Sequence, residues 1–141
     1  MAGVIFDGGV GPMVISVPFS VTANATVYTG AFICNTTYNG AFQLDRAEMV
    51  FYSAPVTSGT VTAALSNRDS SASATDNLLS AATQTVSTAT SLVAFALTLT
   101  TTLADLKLGN ADYIFLTMVS DNADMTGATG GVLTLTLNPI L

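Results

Sequence analysis

The sequence predicts an all-β protein: an antiparallel two-sheet β-sandwich, jelly-roll-like, preceded by an extended N-terminal arm. Three observations carry that prediction. Apolar residues recur with a period of two along most of the 141 residues, and two is the period at which strand side chains return to one face. Gly, Asn and Ser turn signals separate seven or so such stretches. Helical patterning is confined to one short segment, which leaves a sandwich of two sheets as the simplest way to bury so many one-sided strands.

The elements follow in order. Residues 1–13, "MAGVIFDGGVGPM", are glycine-rich and hold Val4, Ile5 and Phe6; they read as an arm, with the sandwich occupying 14–141. An apolar tip on such an arm is of more use against a neighbour than in water. In "VISVPFSVT", Ile15, Val17, Phe19 and Val21 alternate with Ser16, Pro18, Ser20 and Thr22. Pro18 has no amide proton to give to a ladder, which predicts an edge strand or a bulge. "ATVYTGAFIC" places Val27, Tyr28 and Phe32 around Gly30, and the "NTTYNG" that follows ends in Asn39-Gly40, a hairpin dipeptide because both residues tolerate positive φ. In "AFQLDRAEMVFYSA" unbroken alternation sets Phe42, Leu44, Val50 and Tyr52 on one face, with Arg46 and Glu48 intruding midway.

After Pro55 and a Ser-Gly turn, "TVTAALS" turns Val61, Ala63 and Leu65 inward. "NRDSSASATDN", residues 67–77, is polar and small, the composition of an exposed excursion between the two halves of the fold. "NLLSAA" suggests one helical turn with Asp76 as its N-cap. Alternation then resumes with Val93, Phe95, Leu97 and Leu99 inward, and "LADLKLGN" makes a corner. "ADYIFLTMVS" is apolar on both faces at Tyr113, Ile114, Phe115, Leu116 and Met118. A strand of that kind belongs at the centre of a sheet or beneath a partner subunit, and Tyr113 and Phe115 are the candidates for such packing. "DNADMTGATGG" (residues 121–131) reads as a loop, and "VLTLTLN" closes the chain with Leu133, Leu135 and Leu137 set against Thr134 and Thr136.

Composition narrows the function. Half of the residues are hydrophobic and only 9% are charged, against ~25% in average proteins. The solvent face is therefore built of Thr, Ser, Asn, Ala and Gly, which bind water yet offer little repulsion between molecules. The three cations, Arg46, Arg68 and Lys107, in a chain of net charge -6 cannot supply the phosphate contacts from which nucleic-acid affinity comes. The most apolar run, Leu92 to Leu99, is broken by Thr98 and ended by Thr100, Thr101 and Thr102, far short of the ~20 apolar residues a membrane helix needs. The first residues have no basic region and place Asp7 and glycines where the apolar core of a signal peptide would lie. The expected partners thus include neither nucleic acid nor membrane.

The residues of common chemistries are also missing or badly spaced. No histidine is present, so Ser/His/Asp and Cys/His arrangements cannot be assembled. Glu48 is the single glutamate; two positions from Arg46 on a strand, it faces the same way and is expected to form a lateral ion pair. "GGVGPM" lacks the lysine of a phosphate loop. Asp121, Asn122 and Asp124 offer oxygens without the spacing of a calcium loop, and the sequons at Asn24 and Asn35 are the chance matches of a threonine-rich chain. Cys34, alone and among apolar neighbours, reads as a buried, inert thiol. The expectation is of no catalytic residue, no cofactor and no metal: a building block.

The succession of "AFQLDRAEMVFYSA", "GTVTAALSN", "TDNLLSAA" and "LKLGNADYIFLTM" resembles the capsid decoration, or cement, proteins of tailed bacteriophages. The matching positions are Leu44, Arg46 and Val50, then Leu78, Leu79 and Ser80, then Leu106, Gly109 and Asn110, where Asn110 stands in place of an aspartate. The likeness spans most of 42–137 in short pieces. It implies a non-enzymatic virion protein, made in the host cytoplasm, that binds the outer surface of the capsid as a homotrimer and bridges subunits of the major capsid protein. Val4, Ile5, Phe6, Tyr113 and Phe115 are the expected contacts with capsid or sister subunits. The alternative is a receptor- or carbohydrate-binding head of a virion surface or fibre protein. That role usually presents aromatics on loops, and the polar stretches 67–77 and 121–131 contain none.

Overall fold

A computed structural model of the chain describes residues 12–34, 41–53, 60–68, 75–121 and 129–140. These residues form ten strands and no helix: β1 (Met13–Val21), β2 (Thr26–Ile33), β3 (Phe42–Phe51), β4 (Val61–Arg68), β5 (Thr75–Asn77), β6 (Gln84–Thr85), β7 (Ala94–Ala96), β8 (Lys107–Leu108), β9 (Tyr113–Ser120) and β10 (Thr129–Pro139). Sheet A runs β1-β10-β3-β7 with β8 also on β3, and sheet B runs β2-β9-β4-β5 with β6 also on β4. Every pairing of named strands is antiparallel. The first strand pairs with the last in one sheet and the second with the last but one in the other. That nesting is a jelly roll, the double Greek key in which two sheets close over one core.

The core is the sum of the inner faces. Phe19 and Val21 of β1, Leu133, Leu135 and Leu137 of β10, and Ala47, Met49 and Phe51 of β3 meet Val61, Ala63 and Leu65 of β4 and Ile114, Leu116 and Met118 of β9. Phe19 and Phe51 pack edge to face, with centroids 5.2 Å apart. β9 and β10 are interior strands, as are β3 and β4, and Pro18 sits on β1, an edge strand. β1 begins at Met13, the last residue of the expected arm; residues 1–11, with Val4, Ile5 and Phe6, lie outside the described residues, as do Asn39, Gly40, Pro55, Asn122 and Asp124.

Several expectations are corrected. Alternation in β3 is broken: Leu44 pairs with Leu137 but Arg46 with Thr136, so Asp45 is an extra residue. This bulge sends Asp45 and Arg46 outward in succession and reverses the phase beyond it, because a one-residue slip exchanges the two faces of a strand. Ala47, Met49 and Phe51 are buried in place of Val50, which is half-buried, and Tyr52, which is exposed. The ends of the polar stretch 67–77 are strands, with Asn67 opposite Asp76 in the β4–β5 pair, and Thr129 to Gly131 belong to β10. "NLLSAA" forms no helical turn. Asn77, not Asp76, organises it: its Nδ2 donates to the Leu79 and Ala81 carbonyls at 3.0 and 2.7 Å, and its Oδ1 accepts from the Leu79 amide. Leu78 and Leu79 are thereby swung into the core. Val93, expected inside, is exposed, while Leu97 is buried and Phe95 and Leu99 pack against the core from its rim.

Candidate adhesive face

The outer faces of the two sheets differ, and the difference can be built row by row from the registers. Across the outside of sheet B, Ile33, Tyr113 and Arg68 form one row, Gly30, Phe115 and Ser66 the next, then Tyr28, Thr117 and Ala64, and last Thr26, Val119 and Thr62. Tyr113 and Phe115, two apart on β9, share this face as the strand period demands, their rings 5.9 Å apart and tilted by 42°. Tyr28 is 71% exposed and Ile33 67%. Among the described residues on these rows Arg68 is the one charged side chain, and no carboxylate is present.

A second bulge gives the face its shape. Gly30 pairs with Phe115 and Phe32 with Ile114, leaving Ala31 as the extra residue of β2. Ala31 and Phe32 both turn inward against the core, where Phe32 meets Phe42 edge to face at 6.2 Å, and the reversed phase pushes Ile33 out beside Tyr113. Four residues apart, Tyr28 and Phe32 would share a face on a regular strand; the bulge separates them. Gly30 has no side chain, and nothing lies within 4 Å of where a Cβ would stand. The result is an apolar groove of about 300 Å³ lined by Gly30, Ala31, Phe32, Ile33, Tyr113 and Ile114.

Sheet A presents something else. Its outer rows are Val14, Thr136 and Arg46; Ser16, Thr134, Glu48 and Ala96; and Pro18, Val132, Val50 and Ala94. Arg46 Nη2 donates to Glu48 Oε1, the lateral ion pair expected of residues two apart on a strand. Ser16 and Thr134 join hydroxyls at 3.3 Å, and Lys107 lies opposite Gln43 at the margin.

The remaining chemistry is structural. Cys34 is fully buried, its Sγ 3.7 Å from the Leu108 carbonyl. Burial pushes the thiol pKa up, Asp112 adds to the rise, and a backbone hydrogen bond from Phe42 opposes it, so the nucleophilic thiolate is disfavoured. The Asp112 carboxylate accepts from the Gly109 amide at 2.7 Å and closes the turn before β9. Asp121 Oδ1 accepts from the Thr60 amide at 2.8 Å, a strand-end tie. Among the described residues no three of His, Cys, Asp and Glu come close enough to share a metal ion, and no helix is long and apolar enough to cross a membrane. No protein-family model matches the chain, and a search of curated proteins found no similar sequence.

Tyr113 and Phe115 therefore lie together on one outer face. Ile33 and the groove at Gly30 escape sequence reasoning because the Ala31 bulge creates them, and Tyr28 because the bulge turns Phe32, four residues on, to the opposite face. The only signal for them is an isolated glycine inside a strand pattern, which often marks a bulge.

Proposed function

We propose that this chain is a non-enzymatic virion structural protein, which binds the outer surface of a phage capsid as a trimer and stabilises it by bridging subunits of the major capsid protein. The observation that carries the reading is the outer face of sheet B, where Tyr28, Ile33, Tyr113 and Phe115 stand with no carboxylate among the described residues, on a protein of net charge -6. Aromatic side chains with few rotamers make good anchors at an interface, and the scarcity of like charge lets many copies crowd one shell. Jelly rolls serve widely in viral capsids, which agrees with this role without singling it out. Weak contacts at each copy sum to durable attachment when copies are linked.

The test is direct. Purified chain is mixed with expanded empty heads of the cognate phage, and occupancy and the melting temperature of the heads are measured. Saturable binding with a raised melting temperature is expected; absence of binding at micromolar concentration removes the proposal.

One observation favours a second reading. The aromatics absent from the loops at 67–77 and 121–131 are present on a sheet face, so a receptor- or carbohydrate-binding head would have Tyr28 and Tyr113 as stacking platforms. A glycan array separates the two: specific glycan binding without attachment to heads selects the receptor role.

A further inference from the structure

A sandwich of two open sheets has four edges, and each edge strand left bare is a template for another chain. Three of these edges are protected here. β1 carries Pro18; β7 and β8 are three and two residues long; β5 and β6 are equally short, and β5 holds Asp76. Among the described residues β2 is the exception. Its eight residues, "TVYTGAFI", contain no charge and no proline, and the bulge at Ala31 interrupts only its far end. Thr26 to Gly30 remain a regular edge beside the apolar groove.

We propose that this edge receives the N-terminal arm of a second copy of the chain, which adds as a strand along β2 and places apolar side chains from Val4, Ile5 and Phe6 against the groove at Gly30. The inference rests on the self-association in the proposed function and is independent of which shell the assembly binds. Strand addition draws affinity from main-chain hydrogen bonds and specificity from pockets for alternate side chains, and "GVIFDG" offers a short β-branched and aromatic run between glycines.

Position and charge favour this occupant. β1 starts at Met13, opposite Leu137, which also pairs with Leu44 next to the Phe42–Phe32 contact. The arm thus leaves the sandwich at the end where β2 finishes. Its eleven residues before Pro12 reach up to ~36–40 Å when extended, whereas β2 is ~26 Å long, so an arm can clear its own sandwich and lie along a neighbour. Its single charged residue is Asp7, and the receiving face has one cation, Arg68, and no carboxylate among the described residues. Passing an arm from each copy to the next is a heterologous contact, the kind that makes a ring such as a trimer when the rotation between copies closes.

The experiment measures the mass of the full-length chain in solution by light scattering, for the wild type, Ile5→Asp and Gly30→Arg. Gly30 faces open space, so Gly30→Arg adds a long charged side chain beside the groove without a clash in the sandwich, and circular dichroism checks that the sandwich is intact. The wild type is expected at a multiple of 14.4 kDa, both variants at the single-chain mass, and a peptide of residues 2–11 is expected to dissociate the wild type while perturbing amide resonances of Thr26 to Ile33. A wild type that stays at the single-chain mass, or variants that keep the assembly, overturn the proposal; so does peptide binding to a wild type that is already monomeric, which would assign the groove to the chain's own arm. Lost shell binding with assembly intact strikes the capsid role instead and leaves this inference standing.

Discussion

The two sheets share one core and differ on their outsides. Inward, both are largely apolar ladders whose central residues, such as Leu133, Leu135, Leu116 and Met118, are fully buried. Outward, sheet A shows an ion pair, threonines and valines, Val14 among them 62% exposed, with a proline on its long edge, while sheet B shows a patch of aromatic and aliphatic residues, a groove, and, among the described residues, an edge strand without charge or proline. The inner faces determine that the chain folds. The outer faces determine what it can touch, and among the described residues that of sheet B has no carboxylate and borders the edge strand without charge or proline, the features that otherwise keep proteins apart.

Two glycines make the sharpest comparison. Gly131 lies in β10 at the heart of sheet A, where a Cβ would collide with the Val50 carbonyl oxygen and approach Phe19 Cζ to 2.9 Å; Gly30 lies in β2 facing open space. Gly131→Ala is expected to cost about 3 kcal/mol through overpacking, whereas Gly30→Ala is expected to leave the denaturation midpoint nearly unchanged. Equal effects in urea melts would break the distinction between a closed sheet and an open one.

Next in size is an effect on adhesion. Replacing Tyr113 and Phe115 together by threonine is expected to weaken binding to capsids, or of copies to one another, by roughly tenfold or more, as loss of aromatic anchors does. Val132→Thr on the outside of sheet A is expected to leave that binding unchanged. Sedimentation with empty heads distinguishes the two.

Cys34 tests the seam where β2 ends. Burial raises its folded pKa above the ordinary thiol range, so the folded state holds the proton longer than the unfolded chain does. The stabilisation is complete below the unfolded pKa and is lost as pH rises through the folded one. Stability of the wild type should fall as pH rises past the ordinary thiol pKa of about 8.5 more steeply than that of Cys34→Ser, and the native thiol should resist alkylation at neutral pH. The smallest effect belongs to sheet A: Arg46→Ala removes an ion pair whose arginine is 64% exposed and should change stability by no more than about 0.5 kcal/mol.

The sandwich was legible in the sequence wherever a strand alternates without interruption, as β1, β4 and β10 do, or is apolar on both faces, as β9 is, and Pro18 marks an edge. Legibility ended at the two bulges. Asp45 inverts the phase of β3, so Tyr52 faces water instead of the core, and Ala31 does the same to β2, which creates the groove. It ended also between Leu78 and Leu108, where Leu78, Leu79, Val86, Ala89 and Leu106 are buried from turns and irregular backbone to which no period applies. For the candidate face, Tyr113 and Phe115 stood out because β9 is apolar on both sides. Tyr28 and Ile33 did not, because their orientation depends on one extra residue.

Amide hydrogen exchange, compared between the dilute chain and the assembled or shell-bound chain, tests the adhesive role of sheet B most directly. Added protection is predicted along Thr26 to Ile33, with Met13 to Val21 on the sheet A edge exchanging as before. Protection gained at the β1 edge, with β2 unchanged, would contradict it.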